Sequence, residues 1–310
     1  MPILIGTRGS QLALAQAEGV RVQIADLFPS EEVRLELVKT LGDQMAAPGV
    51  APPQEAPQGI FTKELDEALF SGKIRGAIHS LKDVPTELPA GIEYAAFLKR
   101  EDPRDALISR TGQKLSELPG GSRIGTSSPR REAQIKACRA DLEVLPLRGN
   151  VDTRLRKLKE GEVDALVIAA AGLKRLGRQG EVTEFLNPEV MLPAPAQGIV
   201  CVTALRKDEA FLGTLKTIDD LEARTCAWAE RSFLKTLQGG CRVPVGAFAV
   251  MEGKTLTLSG VIADLEAHTI MKNSIKGGIE KPIELGNQLA QQFLKEGAGD
   301  ILKAFGRSTW

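Results

Sequence analysis

The sequence is poor in aromatic residues, histidine and cysteine, and it carries no net charge. Phe, Trp and Tyr make up 4% of its 310 residues, which leaves few rings on which the bases of single-stranded nucleic acid would stack. Forty basic residues balance forty acidic ones, so no overall field draws the chain to nucleic acid or to an anionic membrane. These features argue against a protein that binds nucleic acid or a membrane surface.

The cysteines and histidines form no metal-binding pattern. The four cysteines, Cys138, Cys201, Cys226 and Cys241, contain no CxxC pair, and two histidines accompany them, so no zinc or other metal site is predicted. A chain of this size does not need disulfides, and we expect reduced thiols. No stretch reaches the ~18 apolar residues of a membrane helix, and the first ten residues do not resemble a signal peptide. The sequence therefore predicts a soluble, cytoplasmic protein.

Short apolar strands alternate with helical patterns along the first part of the chain. Residues 2–6, 33–39 and 74–80 have the pattern of strands, and residues 11–27 have that of a helix. Residues 42–59 contain four prolines and are predicted to form an irregular, mobile loop of the kind that often closes over a functional site. The alternation predicts an α/β fold with a largely parallel sheet.

The order of strand, small polar turn and helix then restarts. IGTSS at 124–128 echoes IGTRGS at 5–10, and residues 161–170 echo residues 72–80. We interpret these echoes as two related α/β lobes.

The C-terminal region, from about residue 219, combines helices with a hairpin. Its first helix runs to the glycine pair at 239–240, and residues 247–263 have the pattern of a hairpin. A final helix places three apolar side chains on one face: Leu285, Leu289 and Phe293. This order predicts a small α+β domain.

Arginine is concentrated where ligands bind in α/β folds. Residues 123–159 contain ten basic and four acidic residues, and Arg130 and Arg131 open a predicted helix directly after a strand. Cations at a helix N-terminus are unfavourable by ~0.3–1 kcal/mol each, unless guanidinium and backbone N–H groups together hold an anion. Arg8 occupies the corresponding turn of the first lobe, and such turns lie at the ligand crevice.

A solvated basic face is the ordinary explanation of a charge run, but the repetition at two turns favours an anion site. Arg148, and Arg154 in a helix that we expect Asp152 to cap, are predicted to line the same cleft. Neither a GxGxxG fingerprint nor a P-loop is present, so the pattern indicates a ligand with several carboxylates and not a nucleotide.

Asp83 and Cys241 are the candidate chemical groups. Asp83 follows strand 74–80 and precedes Val84–Pro85; it is either an ordinary turn residue or a carboxylate that meets developing positive charge. Cys241 lies in QGGCRVP, where the glycines expose the sulfur and a neighbouring arginine favours the thiolate. It is either a reactive thiol or attachment point, or a structural cysteine, whereas the other three cysteines are expected in the core.

Eight sequence blocks in one order resemble the porphobilinogen deaminase family. They are GTRGSQLALAQ (6–16), GIFTKELDEAL (59–69), HSLKDVP (79–85), EDPRDA (101–106), GTSSPRR (125–131), LRGNVDTRL (147–155), AGLKRLG (171–177) and LQGGCRVP (237–244). Any one block is weak evidence, but eight collinear blocks are specific.

This resemblance implies a bilobal enzyme with a third domain. The first lobe is residues 1–99 with about 197–217, and the second is residues 100–196; both are similar to the lobes of periplasmic-type binding proteins. A C-terminal α+β domain, residues 218–310, carries a dipyrromethane cofactor, linked by a thioether to Cys241. Four porphobilinogen molecules are joined head to tail on this primer with loss of ammonia, and water releases hydroxymethylbilane for tetrapyrrole and haem synthesis.

The resemblance also assigns residues to roles. Asp83 is the catalytic residue, which handles the pyrrole nitrogens and a cationic azafulvene intermediate. Gln58 and Phe61 fall in the active-site loop. The positions implied to bind the acetate and propionate groups of substrate and cofactor are Arg8, Ser10, Lys82, Thr126, Ser127, Ser128, Arg130, Arg131, Arg148, Arg154, Arg175 and Gln197. Each pyrrole brings two carboxylates, which agrees with the need for several guanidinium groups.

Three positions depart from the family's usual pattern. Gln58 stands where many members have lysine, Pro129 where leucine is usual, and Ala196 where glycine is usual. Proline at a first helical position is benign, and no catalytic role is placed on Gln58.

Two other classes of protein compete with this interpretation. A non-enzymatic bilobal binding protein for a polycarboxylate would use the same arginines but leaves Cys241 and the third domain unexplained. A nucleic-acid-binding protein would use the basic stretch 123–159, but the zero net charge and the low aromatic content of the chain argue against this class. Porphobilinogen is the expected partner of a monomeric enzyme, and a covalent adduct distinguishes that enzyme from both rivals.

Overall fold

The computed structural model of the protein describes residues 2–45, 59–238, 243–264 and 269–303. The chain separates into two compact units: Met1–Glu101 with Gly198–Arg224, and Asp102–Gln197 with Thr225–Trp310. Most of the predicted loop, together with Gln58, the glycine pair at 239–240 and Cys241, lies outside the described residues. Among the residues described, no helix is both long and apolar enough to span a bilayer.

The first unit is a five-stranded sheet with helices on both faces. Numbered in chain order, its strands are β1 (Ile3–Thr7), β2 (Val33–Leu37), β3 (Gly76–Ser80), β4 (Ile92–Phe97) and β10 (Val200–Leu205), and its helices are α1 (Gln11–Leu27), α2 (Leu41–Met45), α3 (Lys63–Phe70) and α7 (Glu209–Leu215). On β3, Ile78 faces a core shared with α1 and α7, whereas its neighbour Ala77 faces a core shared with α3. Successive side chains of β3 thus enter two different cores, as expected for a strand that is buried on both faces.

The first sheet is largely parallel, as predicted, but one strand, β10, runs against the other four. Its order is β2-β1-β3-β10-β4. The first three strands are parallel, but β10 lies antiparallel between β3 and β4. A pairing between segments more than a hundred residues apart in sequence leaves no local pattern, so the α/β class was predictable and the direction of β10 was not.

The predicted irregular segment begins with the short helix α2. Thr40 caps it: the Thr40 hydroxyl accepts from the Asp43 backbone N–H at 3.2 Å and donates to the Asp43 carboxylate at 2.7 Å. This reciprocal pair resembles a capping box. The prolines that motivated the loop prediction all follow this helix in the sequence.

The second unit begins with another mixed sheet. Its strands are β5 (Asp105–Ser109), β6 (Arg123–Gly125), β7 (Glu143–Leu145), β8 (Ala165–Ala169) and β9 (Glu184–Phe185), in the order β7-β6-β8-β5-β9, and its helices are α4 (Pro129–Cys138), α5 (Val151–Lys159) and α6 (Ala170–Arg175). Asn150, not Asp152, is the N-cap of α5, since its side chain accepts from the Thr153 N–H at 2.9 Å. Asp152 lies in the first turn and pairs with Arg178, so the predicted cap was displaced by two residues.

The C-terminal part of the second unit has an antiparallel sheet packed on helices. Its elements are α8 (Leu221–Thr236), whose first four residues belong to the first unit, and β11 (Val245–Glu252), β12 (Thr255–Ala263), β13 (Ile270–Gly278), α9 (Pro282–Lys295) and α10 (Ala298–Lys303). The predicted α+β class and hairpin are confirmed, with Gly253 at φ +60° in the turn. Leu285, Leu289 and Phe293 all lie in the core. The third strand, β13, was not predicted.

The cysteines outside the candidate site are not all buried. Cys201 on β10 and Cys226 on α8 are buried, as expected, but Cys138 is exposed. The prediction of a core position for Cys138 was wrong because it is the last residue of α4. Partial desolvation of its sulfur by neighbouring atoms still raises the pKa of the Cys138 thiol, which disfavours the reactive thiolate.

Ala196 adopts a left-handed backbone conformation at the end of the second lobe. Its φ is +63°, and its N–H donates to the buried Glu230 carboxylate at 2.6 Å. The same carboxylate accepts from the Ala249 N–H at 2.7 Å. Glu230 therefore joins the segment before Gln197 to strand β11.

We expect Ala196→Gly to leave the free energy of unfolding nearly unchanged, whereas Ala247→Gly lowers it by about 1–2 kcal/mol. Both alanines are fully buried, so each variant loses a similar methyl contact and gains similar unfolded-state entropy. Of these two alanines, Ala196 alone has a positive φ, a conformation that costs a non-glycine residue about 1–2 kcal/mol. Denaturant unfolding of both variants measures the difference, and equal losses would contradict the strain at Ala196.

Candidate active site

A pocket at the carboxyl ends of β1 and β3 collects several predicted residues. These strands are parallel neighbours, so the turns that follow them meet at one edge of the sheet. Arg8 and Ser10 follow β1, and Asp83 ends a 3-10 turn directly after β3. The pocket is lined by Arg8, Ser10, Leu12, Ala13, Gln16, Phe61, Thr62, Ile78, His79, Ser80 and Asp83. The structure thus brings the candidate catalytic carboxylate together with one predicted anion-binding arginine.

Arg8 is held in place by a carboxylate and a ring. Its Nη2 lies 2.6 Å and its Nε 3.1 Å from Asp43 Oδ1, and its guanidinium carbon lies 4.0 Å from the centre of the Phe61 ring. Burial alone would raise the pKa of Asp43, but hydrogen bonds from Arg8 and Thr40 outweigh it and lower that pKa. The guanidinium plane is fixed in the pocket wall, a preorganised setting for a second carboxylate.

His79 is a buried pocket residue whose role the sequence did not indicate. Its Nε2 lies 3.1 Å from Thr203 Oγ1. Burial, with a contribution from nearby Arg8, lowers the pKa of His79 to about 4. The ring is therefore neutral near pH 7 and adds no positive charge to the pocket. The block HSLKDVP could have indicated a buried polar contact at His79, since a histidine in an apolar strand must find a hydrogen-bond partner.

A second arginine cluster lies in the second unit. Arg130 and Arg131 open α4 and are 4% and 6% exposed, and both pair with Asp105, which is fully buried at the start of β5. Burial alone would raise the pKa of Asp105, but the charges and hydrogen bonds of the two arginines hold it well below its usual range. The predicted arginines are thus adjacent, but they share a carboxylate that the sequence interpretation did not include.

The hydroxyl residues before α4 shape its N-terminus. The Ser128 side chain accepts from the Arg131 N–H, and Thr126 Oγ1 accepts from the Ser128 N–H at 3.2 Å. Thr126 is buried and Ser127 is exposed. Two of the three predicted hydroxyls therefore position the turn that carries Arg130 and Arg131.

The remaining predicted residues differ in exposure. Gln197 is fully buried, and its Nε2 donates to Pro103 O at 2.8 Å and to Asp105 Oδ1 at 2.9 Å. Arg148 is exposed in the loop between β7 and α5. Lys82, Arg154 and Arg175 are half-buried, Lys82 after β3 and the two arginines on α5 and α6. The places of these residues in the fold do not show whether they bind a ligand. The binding roles that the resemblance implies for them therefore stay predictions.

The residues present fit a group that carries carboxylates. Arg130, Arg131 and Asp105 together have one positive charge in excess, and they are buried, where an uncompensated charge is costly. An anionic ligand group would neutralise that excess. The pocket of the first unit, taken by itself, has a fixed guanidinium beside an aromatic ring. Each feature on its own suits a ligand group that carries carboxylates, as the acetate and propionate side chains of a dipyrromethane do.

The family models and the relatives found by sequence give one consistent result. A family model for the porphobilinogen deaminase dipyromethane cofactor binding domain matches residues 3–213, and one for the porphobilinogen deaminase C-terminal domain matches residues 224–295. The chain is 42% identical over 298 residues to a porphobilinogen deaminase of Syntrophus aciditrophicus (strain SB), covering 96% of each chain. It is 44% identical over 299 residues to one of Brevibacillus brevis (strain 47 / JCM 6285 / NBRC 100599), again covering 96% of each. Among solved structures, the periplasmic aliphatic sulphonate binding protein SsuA from Escherichia coli is similar at 15% identity, with a TM-score of 0.41 over 95% of this chain and 87% of that one.

Proposed function

Because the chain belongs to the porphobilinogen deaminase family, we propose that Cys241 carries its dipyrromethane through a thioether and that Asp83 is its catalytic carboxylate. The protein is a transferase, a hydroxymethylbilane synthase, which condenses porphobilinogen head to tail with release of ammonia in tetrapyrrole synthesis. The alternative of a non-enzymatic polycarboxylate-binding protein is not favoured, since two family models and all the relatives compared are of the deaminase.

The shared pocket of Arg8, Phe61 and Asp83 is the observation that carries the proposed chemistry. Loss of ammonia from a pyrrole develops positive charge, which a nearby carboxylate stabilises most where water is partly excluded. Asp83 is half-buried in the pocket wall, close to where Arg8 would hold a side-chain carboxylate of the same substrate. Asp83 is proposed to stabilise the pyrrole nitrogen as this charge appears.

The proposed anion site of the second unit would hold the primer. Arg130 and Arg131 supply the buried positive charge, and Arg148, Arg154 and Arg175 would add guanidinium groups at or near the surface. A dipyrromethane held there would supply the terminal pyrrole carbon to which the first porphobilinogen unit is joined. The arginines orient its carboxylates and do not take part in bond making.

Two described residues near positions 239–242, one on each side in the sequence, are buried. Leu237 and Val243, on either side of residues 239–242, lie in the C-terminal core. A thioether there would join the primer to a folded domain through a short glycine-containing segment. The division into two lobes and a C-terminal domain, the monomeric state and the cytoplasmic location stay predictions from the sequence.

Turnover of porphobilinogen tests the proposed function. Purified protein incubated with porphobilinogen is expected to release one ammonia for each molecule consumed and to form hydroxymethylbilane. Ammonia and bilane are measured together over time. Binding of porphobilinogen without release of ammonia would support the non-enzymatic alternative instead.

We expect Arg148→Leu to slow primer assembly or chain elongation by about tenfold while leaving the melting temperature unchanged, because Arg148 is exposed. Arg131→Leu should have a similar kinetic effect but should also destabilise the fold by about 1–3 kcal/mol, since it removes the two hydrogen bonds that Arg131 donates to the buried Asp105 carboxylate. Adduct mass, elongation kinetics and thermal unfolding measure these effects.

Arg156→Leu is the matched control for the arginine variants. Arg156 lies on α5 in the same basic stretch, is exposed, and pairs with Glu160. Its loss should leave kinetics unchanged. Normal kinetics in Arg148→Leu and Arg131→Leu as well would remove both arginines from the binding of the primer.

A further inference from the structure

Asp105 is a charged residue at a position that the fold otherwise gives to apolar side chains. It opens strand β5, whose next three residues, 106–108, are buried and apolar, and it is itself 0% exposed. A buried carboxylate is tolerated only where other groups compensate its charge and hydrogen-bonding capacity. The groups that contact the Asp105 carboxylate therefore indicate its role.

The two oxygens of Asp105 hold two different guanidinium groups. Oδ1 accepts from Arg131 Nη2 at 2.8 Å and Nε at 3.1 Å, and Oδ2 lies 2.7 Å from Arg130 Nη1. Gln197 Nε2 donates to Oδ1 at 2.9 Å, and Arg130 Nη1 also donates to Leu192 O at 2.7 Å. The carboxylate thus fixes both arginines relative to each other, and Gln197 fixes the carboxylate.

This arrangement leaves binding capacity unused on both arginines. Arg131 Nη1 and Arg130 Nη2 make no hydrogen bond to any residue in the described ranges. Two cations share one anion, so the trio has a net charge of +1. A site that needed the arginines for stability alone would be balanced better by one arginine and one carboxylate.

We propose that Asp105 is a positioning residue for the primer: it sets the planes of Arg130 and Arg131 and reduces their combined charge to the amount that one ligand carboxylate neutralises. This inference rests on the proposed function, because it takes the ligand to be a pyrrole carboxylate. A guanidinium binds a carboxylate well only when its N–H groups are aimed at it. Two unsupported guanidinium groups would repel each other and turn apart.

The test compares Asp105→Asn with Asp219→Asn. Asp219 is a matched control in the first unit: it pairs with Arg224 and accepts from the Phe97 N–H, but it belongs to neither arginine-containing site. Both variants are expected to melt at a lower temperature than the parent. Apoprotein of each is incubated with porphobilinogen, below its melting temperature, and the gain of two pyrrole units is followed by intact mass. We expect Asp105→Asn to gain the two pyrrole units at least tenfold more slowly than the parent, and Asp219→Asn to gain them at the parent rate.

Equal rates in the two aspartate variants would overturn the proposal and make Asp105 a structural residue. Gln197→Ala is a second variant, for the case that Asp105→Asn does not fold. This variant keeps the charge of Asp105 and removes one hydrogen-bond donor that holds the carboxylate in place. We therefore expect the two pyrrole units to be gained about threefold more slowly, with a small change in melting temperature. The parent rate in Gln197→Ala would contradict positioning. Cys241→Ser is measured alongside; if it still gains the two pyrrole units, the proposed attachment fails whatever Asp105 does.

Discussion

Cys241→Ser is expected to lose the covalent adduct and nearly all turnover. A primer that survives repeated condensations needs a bond that is stable to the reaction, and a thioether meets that need where an ester would not. The parent protein should weigh two pyrrole units more than its 310-residue chain, and peptide mapping should place the excess on Cys241. Intact mass and the rate of porphobilinogen consumption measure both effects.

The other cysteines are internal controls with different expected costs. Cys138 is exposed, so Cys138→Ser should change neither adduct nor stability. Cys201 and Cys226 are buried, so their serine variants should keep the adduct but lose about 1–2 kcal/mol of stability, because each places a hydroxyl in an apolar core. An unmodified Cys241 in fully active protein would rule out the proposed attachment.

Asp83→Asn is expected to lower kcat by at least about 100-fold while the protein still binds substrate or carries the adduct. The amide keeps the shape of the side chain but lacks the charge that stabilises a cationic pyrrole, and electrostatic contributions of this kind are worth about 3–4 kcal/mol. Stopped-time assays give kcat, and intact mass reports the adduct independently of turnover.

Asp66→Asn is the matched control for Asp83→Asn. Asp66 is a buried carboxyl on α3, outside the residues that line the pocket, and burial, with the charge of Glu67, raises its pKa to about 6. At pH 7 the carboxyl is ionised for the most part, and burial makes that charge unfavourable for the folded state, so the neutral asparagine should preserve kcat without loss of stability. A near-parent kcat in Asp83→Asn would remove Asp83 from the mechanism.

The elements with strong local patterns were predictable from the sequence. Helix α1 begins and ends at the predicted residues, Gln11 and Leu27, because Ser10 caps it and the apolar spacing is regular. The hairpin and the buried face of α9 follow from the same local rules. By contrast, Asn150 and Asp152 are equally good caps by residue type, and Asn150 is the one whose backbone is extended, at φ −71° and ψ 178°, just before the helix begins.

The arginines of the candidate site were predictable, but the groups that position them were not. Arg130 and Asp105 are separated by more than twenty residues and lie on different elements, so nothing in the spacing pairs them. The same holds for Arg8 and Asp43, which meet only through the capped helix α2. A charge that opens a fully buried strand, as Asp105 does, is the one sequence signal that a search for such partners could use.

The antiparallel strand β10 has a consequence for the order in which the protein is assembled during translation. Strand β4 pairs only with β10 in the first sheet, and β10 ends at Leu205, so a nascent chain cannot close that sheet until this residue has left the ribosome. All five strands of the second sheet, β5 to β9, lie between residues 105 and 185 in one uninterrupted stretch. The second sheet is therefore completed before the first, while the edge of β3 that pairs with β10 has no partner strand in the growing chain.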